Sequence, residues 1–234
     1  MDRKKIQLLL ALAILAAGLR LAWILYRRHE ESRARPRPPS AAAPAILSSD
    51  YADVPQSGVY DAASARQLVG KTVWIKLGYS SPAYPVAAGR VLAHAGVPLP
   101  PLTPLRIAGV LRQRWQGRPT VFYTFHYSGR LRAVPIGVEA AYGSAQMQVD
   151  TLFFIANPRQ IYHFWPAKTW SLISHHQVAV GMSDTQVMLA LGGAESLSLG
   201  SARQSYLFPG VHPPMEVTFS NRRVVSFHPQ KSPP

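Results

Sequence analysis

The chain has no cysteine in its 234 residues. Disulfides, a thiolate nucleophile and cysteine-held metals are therefore excluded, while the redox compartment stays open. Acids are scarce as well: 11 Asp and Glu stand against 25 Lys and Arg. Only six acids lie beyond residue 57, and no two are close in sequence. That is thin material for a mechanism built on paired carboxylates. The Walker A and dinucleotide fingerprints are missing, and so is the Gly-x-Ser-x-Gly elbow. No helix-turn-helix, zinc-finger or ribonucleoprotein motif is present and the basic residues are scattered, so nucleic acid is not an expected partner.

Hydrophobic residues make up 47% of the chain and charged ones 15%, enough to pack a core. The net charge of +14 divides into +4 over residues 1–57 and +10 over residues 58–234. The imbalance is thus not confined to a basic tail. It reads either as a deficit of acids, harmless to a chain working at low external pH, or as attraction to anionic partners.

One long apolar run stands out. Ile6 to Tyr26 is almost wholly apolar over 21 residues. At about 1.5 Å per residue this is long enough to cross a bilayer core of about 30 Å. Lys4 and Lys5 precede it, Arg27 and Arg28 follow, and Trp23 and Tyr26 sit at its far end, where interfacial aromatics belong. Arg20 either snorkels to the headgroups or pairs with an acidic group of a neighbouring transmembrane helix. The run exceeds a signal-peptide core, and no small-x-small site follows before the charges, so it reads as an uncleaved signal anchor. A count of flanking basic residues places the bulk of the chain in the cytoplasm.

Residues 29–57, with RARPRPPSAAAPA, read as a Pro/Ala/Arg-rich linker, extended and semi-rigid at about 3.1 Å per residue. Its arginines can touch anionic lipid. Residues 58–156 read as β-rich. Thr72–Leu77, Leu105–Leu111, Thr120–His126 and Leu131–Ile136 are candidate strands, with turns at Gly117 and at Ser128-Gly129. Along Thr120–His126, Val121, Tyr123 and Phe125 share one face and Phe122, Thr124 and His126 the other. Pro98, Pro100, Pro101 and Pro104 mark a stiff loop-like edge. Short strands with frequent turns indicate a small barrel or sandwich. The run GKTVWIK, then YPV, then LRIAGV resembles bacterial SH3-like barrels.

Residues 157–234 open with the chain break Asn157-Pro158 and a candidate helix, AKTWSLISHHQV. Val178 to Gly193 then carries the strongest local signals. Ser183 and Gln186 form an S-x-x-Q capping box, Asp184 lies in the first turn, and Gly192-Gly193 ends the helix. Val187, Met188 and Leu191 make an apolar stripe that can face a sheet beside Trp170 and Ile173. Candidate strands follow at Ser205–Phe208, Met215–Ser220 and Val224–Phe227, with Pro209-Gly210 and Asn221-Arg222-Arg223 as turns.

The helix-strand-strand-strand order, with Val180, Gly181-Met182-Ser183, Gln186-Val187, Leu191-Gly192, Tyr206, Val217-Thr218-Phe219, Asn221 and Val224-Val225, resembles the BamE/SmpA-like envelope module. The likeness runs from Trp165 to Pro229. It departs at Gly193-Ala194, where the family usually has a nearby proline, and in lacking a lipidated cysteine. The resemblance implies a protein-binding or scaffolding domain of a bacterial envelope, on the periplasmic side of the inner membrane. It carries over no catalytic residue.

Other candidates are few. His175-His176 is the only histidine pair. Adjacent residues on a helix point about 100° apart, so His126, His163, Met182 and Met188 could join them at a metal only through the fold. Capping or surface imidazoles are the default reading. The aromatics Tyr79, Tyr84, Trp115, Tyr123, Phe125, Trp165 and Trp170 are core, or in part an edge surface for a partner.

The expectation is an α+β chain with an N-terminal transmembrane helix (residues 1–28), the linker, a β-rich middle domain, and a C-terminal helix plus three-stranded antiparallel sheet. No catalytic, cofactor-binding or metal residue is assigned. The expected role is binding: a scaffold or accessory subunit of a membrane complex, with other envelope proteins as partners and anionic lipid headgroups as a further candidate. The alternative is binding or processing of an envelope polymer such as peptidoglycan.

Overall fold

The computed structural model describes residue 20 and residues 52–94, 96–139, 145–199 and 203–230. The chain divides into two compact units, Met1–Ile46 and Leu47–Pro234. In the first, only Arg20 is described; it is helical and exposed. The rest of the expected span Ile6–Tyr26 and most of the linker 29–57 lie outside the described residues. Among those described, no helix is long and apolar enough to cross a membrane. The second unit is mixed α/β, with two antiparallel sheets and a few short helices.

Eight strands make the first sheet: β1 (Thr72–Ile75), β2 (Tyr84–Ala87), β3 (Arg90–Val91), β4 (Pro104–Trp115), β5 (Arg118–Tyr127), β6 (Arg130–Glu139), β7 (Ala145–Met147) and β8 (Phe153–Phe154). Their order is β3-β2-β6-β5-β4-β1-β8, with β7 also on β6. This path has two ends. The middle region is therefore one open sheet, where the sequence reading expects a small barrel or sandwich. The physical reason lies in unequal strands. β4, β5 and β6 carry ten to twelve residues each, whereas β3 and β8 have two and cannot close a ladder.

The alternation expected along β5 is present. Val121, Tyr123 and Phe125 enter the main core with Leu105, Ile107 and Ile136, while Phe122 faces the other way beside Val91 and Ala133. A one-turn helix, α1 (Val149–Leu152), and a 3-10 turn at Ser64–Leu68 cover the main core. The Tyr123 hydroxyl donates to the Ala65 carbonyl (3.1 Å), tying the 3-10 turn to β5. Two-residue turns join four strand pairs at Ala88-Gly89, Gln116-Gly117, Ser128-Gly129 and Asn221-Arg222. In each, both residues have positive φ, the twist-matched form for tight hairpins.

Before the 3-10 turn, the chain is stapled to α1. Ser57 donates its N–H and hydroxyl to the two carboxylate oxygens of Asp150, at 2.7 and 3.0 Å. Asp61 accepts from the Ser64 hydroxyl and N–H, and these bonds hold its carboxyl below the usual range.

The remaining elements form the second layer. They are α2 (Pro158–Ile161), α3 (Ala167–Ser174), α4 (Asp184–Leu191) and a sheet of β9 (Glu195–Leu199), β10 (Gln204–Phe208), β11 (Met215–Ser220) and β12 (Arg223–Pro229), ordered β12-β11-β10-β9. The sheet has four strands where three are expected. β9 pairs with β10 through its backbone and leaves Leu197 exposed, so no burial pattern announces it. Asn157-Pro158 does not simply break the chain: Asn157 caps α2 by accepting from the Arg159 N–H, with proline at the first helical position. The helix expected over residues 167–178 stops at Ser174.

The capping box of α4 is complete. Ser183 Oγ accepts from the Gln186 N–H (3.2 Å), and Gln186 Oε1 accepts from the Ser183 N–H (2.9 Å). Both residues are buried, so water cannot substitute. Ser183→Ala is expected to lower stability by about 1–2 kcal/mol. Urea denaturation checks this; a loss below about 0.3 kcal/mol would show that the cap is not needed.

Two adjacent phenylalanines bind the layers together. Phe153 faces the first core and Phe154 the second, and on the neighbouring strand Trp74 also turns to the second core while Val73 and Ile75 face the first. A second seam lies where α4 ends. The Gly193 N–H donates to the Gly78 carbonyl (2.8 Å), and Tyr79, with φ of 63°, packs its ring against Gly192 and Gly210.

Candidate binding groove

α4 offers one flank to solvent. Val187, Leu189, Ala190 and Leu191 are buried, but Met188 is not and forms a groove wall. Leu77 from the segment after β1, Phe208 and Tyr206 from β10, and Phe219 from β11 complete an apolar lining around about 340 Å³. Tyr206 and Phe219 meet edge to face at 5.8 Å. At the rim Asp184 and Arg222 form a two-point ion pair, Nε to Oδ2 at 2.8 Å and a second nitrogen to Oδ1 at 3.1 Å. Arg222 holds a left-handed φ of 61° in the β11–β12 turn, and its carbonyl also accepts from the Asp184 N–H (3.2 Å). The pair thus fixes the turn against the first turn of α4, where a carboxylate is already favoured.

Ser80, Gly193 and Ala194 also border a second depression of about 500 Å³, which reaches Glu195 and His212. Ser80, His212 and Glu195 are the residue types of a hydrolytic triad, but no hydrogen bond joins them. The Ser80 hydroxyl instead donates to the Gly78 carbonyl at 3.4 Å. The arrangement offers apolar burial with a fixed charge pair at the edge. It does not offer a nucleophile held by a base.

Set against known protein families, characterised proteins and solved structures, the chain matches none.

The two histidines sit on the last-turn carbonyls of two different helices. His175 Nδ1 hydrogen-bonds the Ser171 carbonyl (2.7 Å), and His176 Nδ1 hydrogen-bonds the Ala190 carbonyl (2.8 Å), linking α3 to α4. His163 Nδ1 sits on the Gln160 carbonyl (3.1 Å). Met182 is buried with its sulfur accepting from the Ala179 N–H, and His126 is exposed at the end of β5. Among the described residues no group of three His, Asp or Glu could hold a metal ion.

The seven aromatics separate by environment. Tyr123, Phe125, Trp165 and Trp170 are core, with Trp165 stacked on Tyr162 at 4.1 Å. Burial, with the Asp150 charge nearby, pushes the Tyr123 phenol up, and burial does the same for Tyr162. Tyr79 is at the seam, where burial and then the Tyr127 phenol raise it. Tyr84 and Trp115 form a half-buried pair elsewhere on the first sheet. Sequence reasoning picks out Asp184 and Met188 but not Leu77, Ser80 or the Asp184–Arg222 pair. Its one available signal is that Arg222 stands in the turn following the helix-and-strand pattern.

Proposed function

We propose that this protein is a non-catalytic binding protein of the bacterial envelope. It is anchored in the inner membrane by the single span Ile6–Tyr26 and serves as a scaffold or accessory subunit of a membrane complex. The groove beside α4 is the observation that carries the binding reading: apolar walls, an open mouth and an ion pair whose charges already satisfy each other. Such a surface gains affinity by removing a partner's apolar side chains from water. The anchor is supported by the length and flanks of the apolar run, and the periplasmic placement by the BamE-like pattern from Trp165 to Pro229.

Ala194 is exposed on the groove rim, so Ala194→Trp fills the mouth without touching the core. The full chain, extracted from native membranes in mild detergent, is expected to migrate within a larger assembly. Ala194→Trp is expected to weaken that association tenfold or more. A wild-type chain that runs alone would defeat the subunit reading, and a variant that keeps its partner would clear the groove of the role. Release of the chain by alkaline carbonate would defeat the anchor. If hydrolysis of peptidoglycan appeared and Ser80→Ala abolished it, the alternative reading would take over.

A further inference from the structure

β4 ends in Trp115, which stands across from Arg118 over the turn Gln116-Gly117. The Trp115 ring lies 4.8 Å from that of Tyr84 and 5.7 Å from that of the buried Phe122. A depression opens on each side of the Tyr84–Trp115 pair. One, of about 660 Å³, reaches Arg90 and Arg114; the other, of about 560 Å³, reaches Arg118. The short strand that carries Arg90 is fixed by Gln113. Its side chain accepts from the Val91 N–H (2.8 Å) and donates to the Val91 carbonyl (3.0 Å).

The charge here is one-sided. Arg112 is neutralised by Glu139 at 2.6 Å. Arg90, Arg114 and Arg118 are exposed, and among the described residues no acid pairs with any of them. Arg114 donates only to the Gly117 carbonyl of its own hairpin (3.3 Å). No acid occurs in the sequence between Asp61 and Glu139. Three guanidinium groups therefore flank two half-buried rings, and the one acid near them in the sheet, Glu139, is already paired with Arg112.

We propose that this ridge, Tyr84 and Trp115 flanked by Arg90, Arg114 and Arg118, docks on the phosphate headgroups of an anionic membrane. The inference rests on the membrane-anchored reading. Guanidinium forks match phosphate oxygens with two hydrogen bonds each. Indole and phenol rings are at home at headgroup depth. Trp115 already packs against two rings, which suits burial at an interface better than the stacking of bases. The linker 29–57 makes the encounter intramolecular, so a patch of low intrinsic affinity is enough.

A chain without cysteine accepts one label at one site. Gln116 is exposed at the hairpin tip, and Gln116→Cys carries an environment-sensitive fluorophore in the full chain reconstituted into vesicles. The label is expected to report lipid contact, by blue shift and by quenching with nitroxide lipids, when a third of the phosphatidylcholine is replaced by phosphatidylglycerol. High salt is expected to reverse this. The triple variant Arg90→Gln, Arg114→Gln, Arg118→Gln should reduce the docked-to-undocked ratio on the order of 100-fold. A triple of equal charge at exposed sites away from the ridge, Arg66→Gln in the 3-10 turn with Arg106→Gln and Arg130→Gln on the sheet, should leave it unchanged.

Equal contact on pure phosphatidylcholine, or equal loss in both triples, overturns the proposal. So does a label that responds to a single-stranded oligonucleotide and not to anionic lipid. Flotation of the same samples reports the anchor separately. A chain that does not float with neutral vesicles defeats the anchor. In that case flotation with anionic vesicles, lost in the first triple alone, still supports the patch, and no flotation there overturns it.

Discussion

Gly192→Ala is expected to leave little folded protein. Gly192 has φ of 92° and ψ of −153°, a region reserved almost wholly for glycine. A residue with a side chain there costs about 1–3 kcal/mol in backbone strain alone. The Cβ would also stand 2.5 Å from the Gly78 carbonyl oxygen and 2.7 Å from the Tyr79 ring. That oxygen is main chain and accepts the Gly193 N–H, so it cannot swing aside without opening the seam. Strain, clash and the lost bond together reach about 4–6 kcal/mol, a large share of the 5–15 kcal/mol that holds a typical domain. Gly89→Ala is the control, with a similar φ of 71° and nothing within 4 Å of the new atom. It is expected to cost about 1 kcal/mol. Denaturant titration of both proteins decides the matter: if they fall within about 1 kcal/mol of each other, the seam yields and is not a rigid contact.

Phe153→Ala and Phe154→Ala are expected to lower one shared thermal transition. Each ring is almost fully buried, and truncating such a ring typically costs about 3–5 kcal/mol. The two point to opposite faces of one short strand. Phe153 lies edge-on to Tyr123 in the first core, and Phe154 lies edge-on to Tyr162 in the second. β8 pairs with β1, whose Trp74 sits opposite Phe154 and likewise enters the second core. Removing either ring thus loosens the wall that both cores share. Calorimetry should show one cooperative peak, shifted down by several degrees in each variant. Two peaks, each moved by only one substitution, would mean that the layers unfold independently.

The elements that sequence reasoning finds are those encoded by near neighbours. The capping box at Ser183 and Gln186 spans three residues, the alternation along β5 repeats every two, and the turns Ser128-Gly129 and Asn221-Arg222 are two residues long. β9 escapes because Glu195, Ser196 and Leu197 are all exposed, with no alternation among them, and the strand pairs with β10 through its backbone. α1, α2 and the two-residue β8 escape because they are too short for any periodicity to register. Of the candidate groove, the α4 flank with Met188 and the strands carrying Tyr206, Phe208 and Phe219 are legible one by one, but not their convergence on one surface.

The sequence by itself determined the long apolar run near the start, the acid-poor character of the chain, most of the long strands and the boundaries of α4. All of these follow from composition or from contacts within about four residues. Tertiary structure alone decided that the long strands of the first sheet form an open path. It also decided that Phe153 and Phe154 serve different cores, that Asp184 meets Arg222 across 38 residues of chain, and that Trp115 gathers arginines from separate strands. Those outcomes depend on which strands pair and in what register, a choice settled by burial and loop closure over the whole unit.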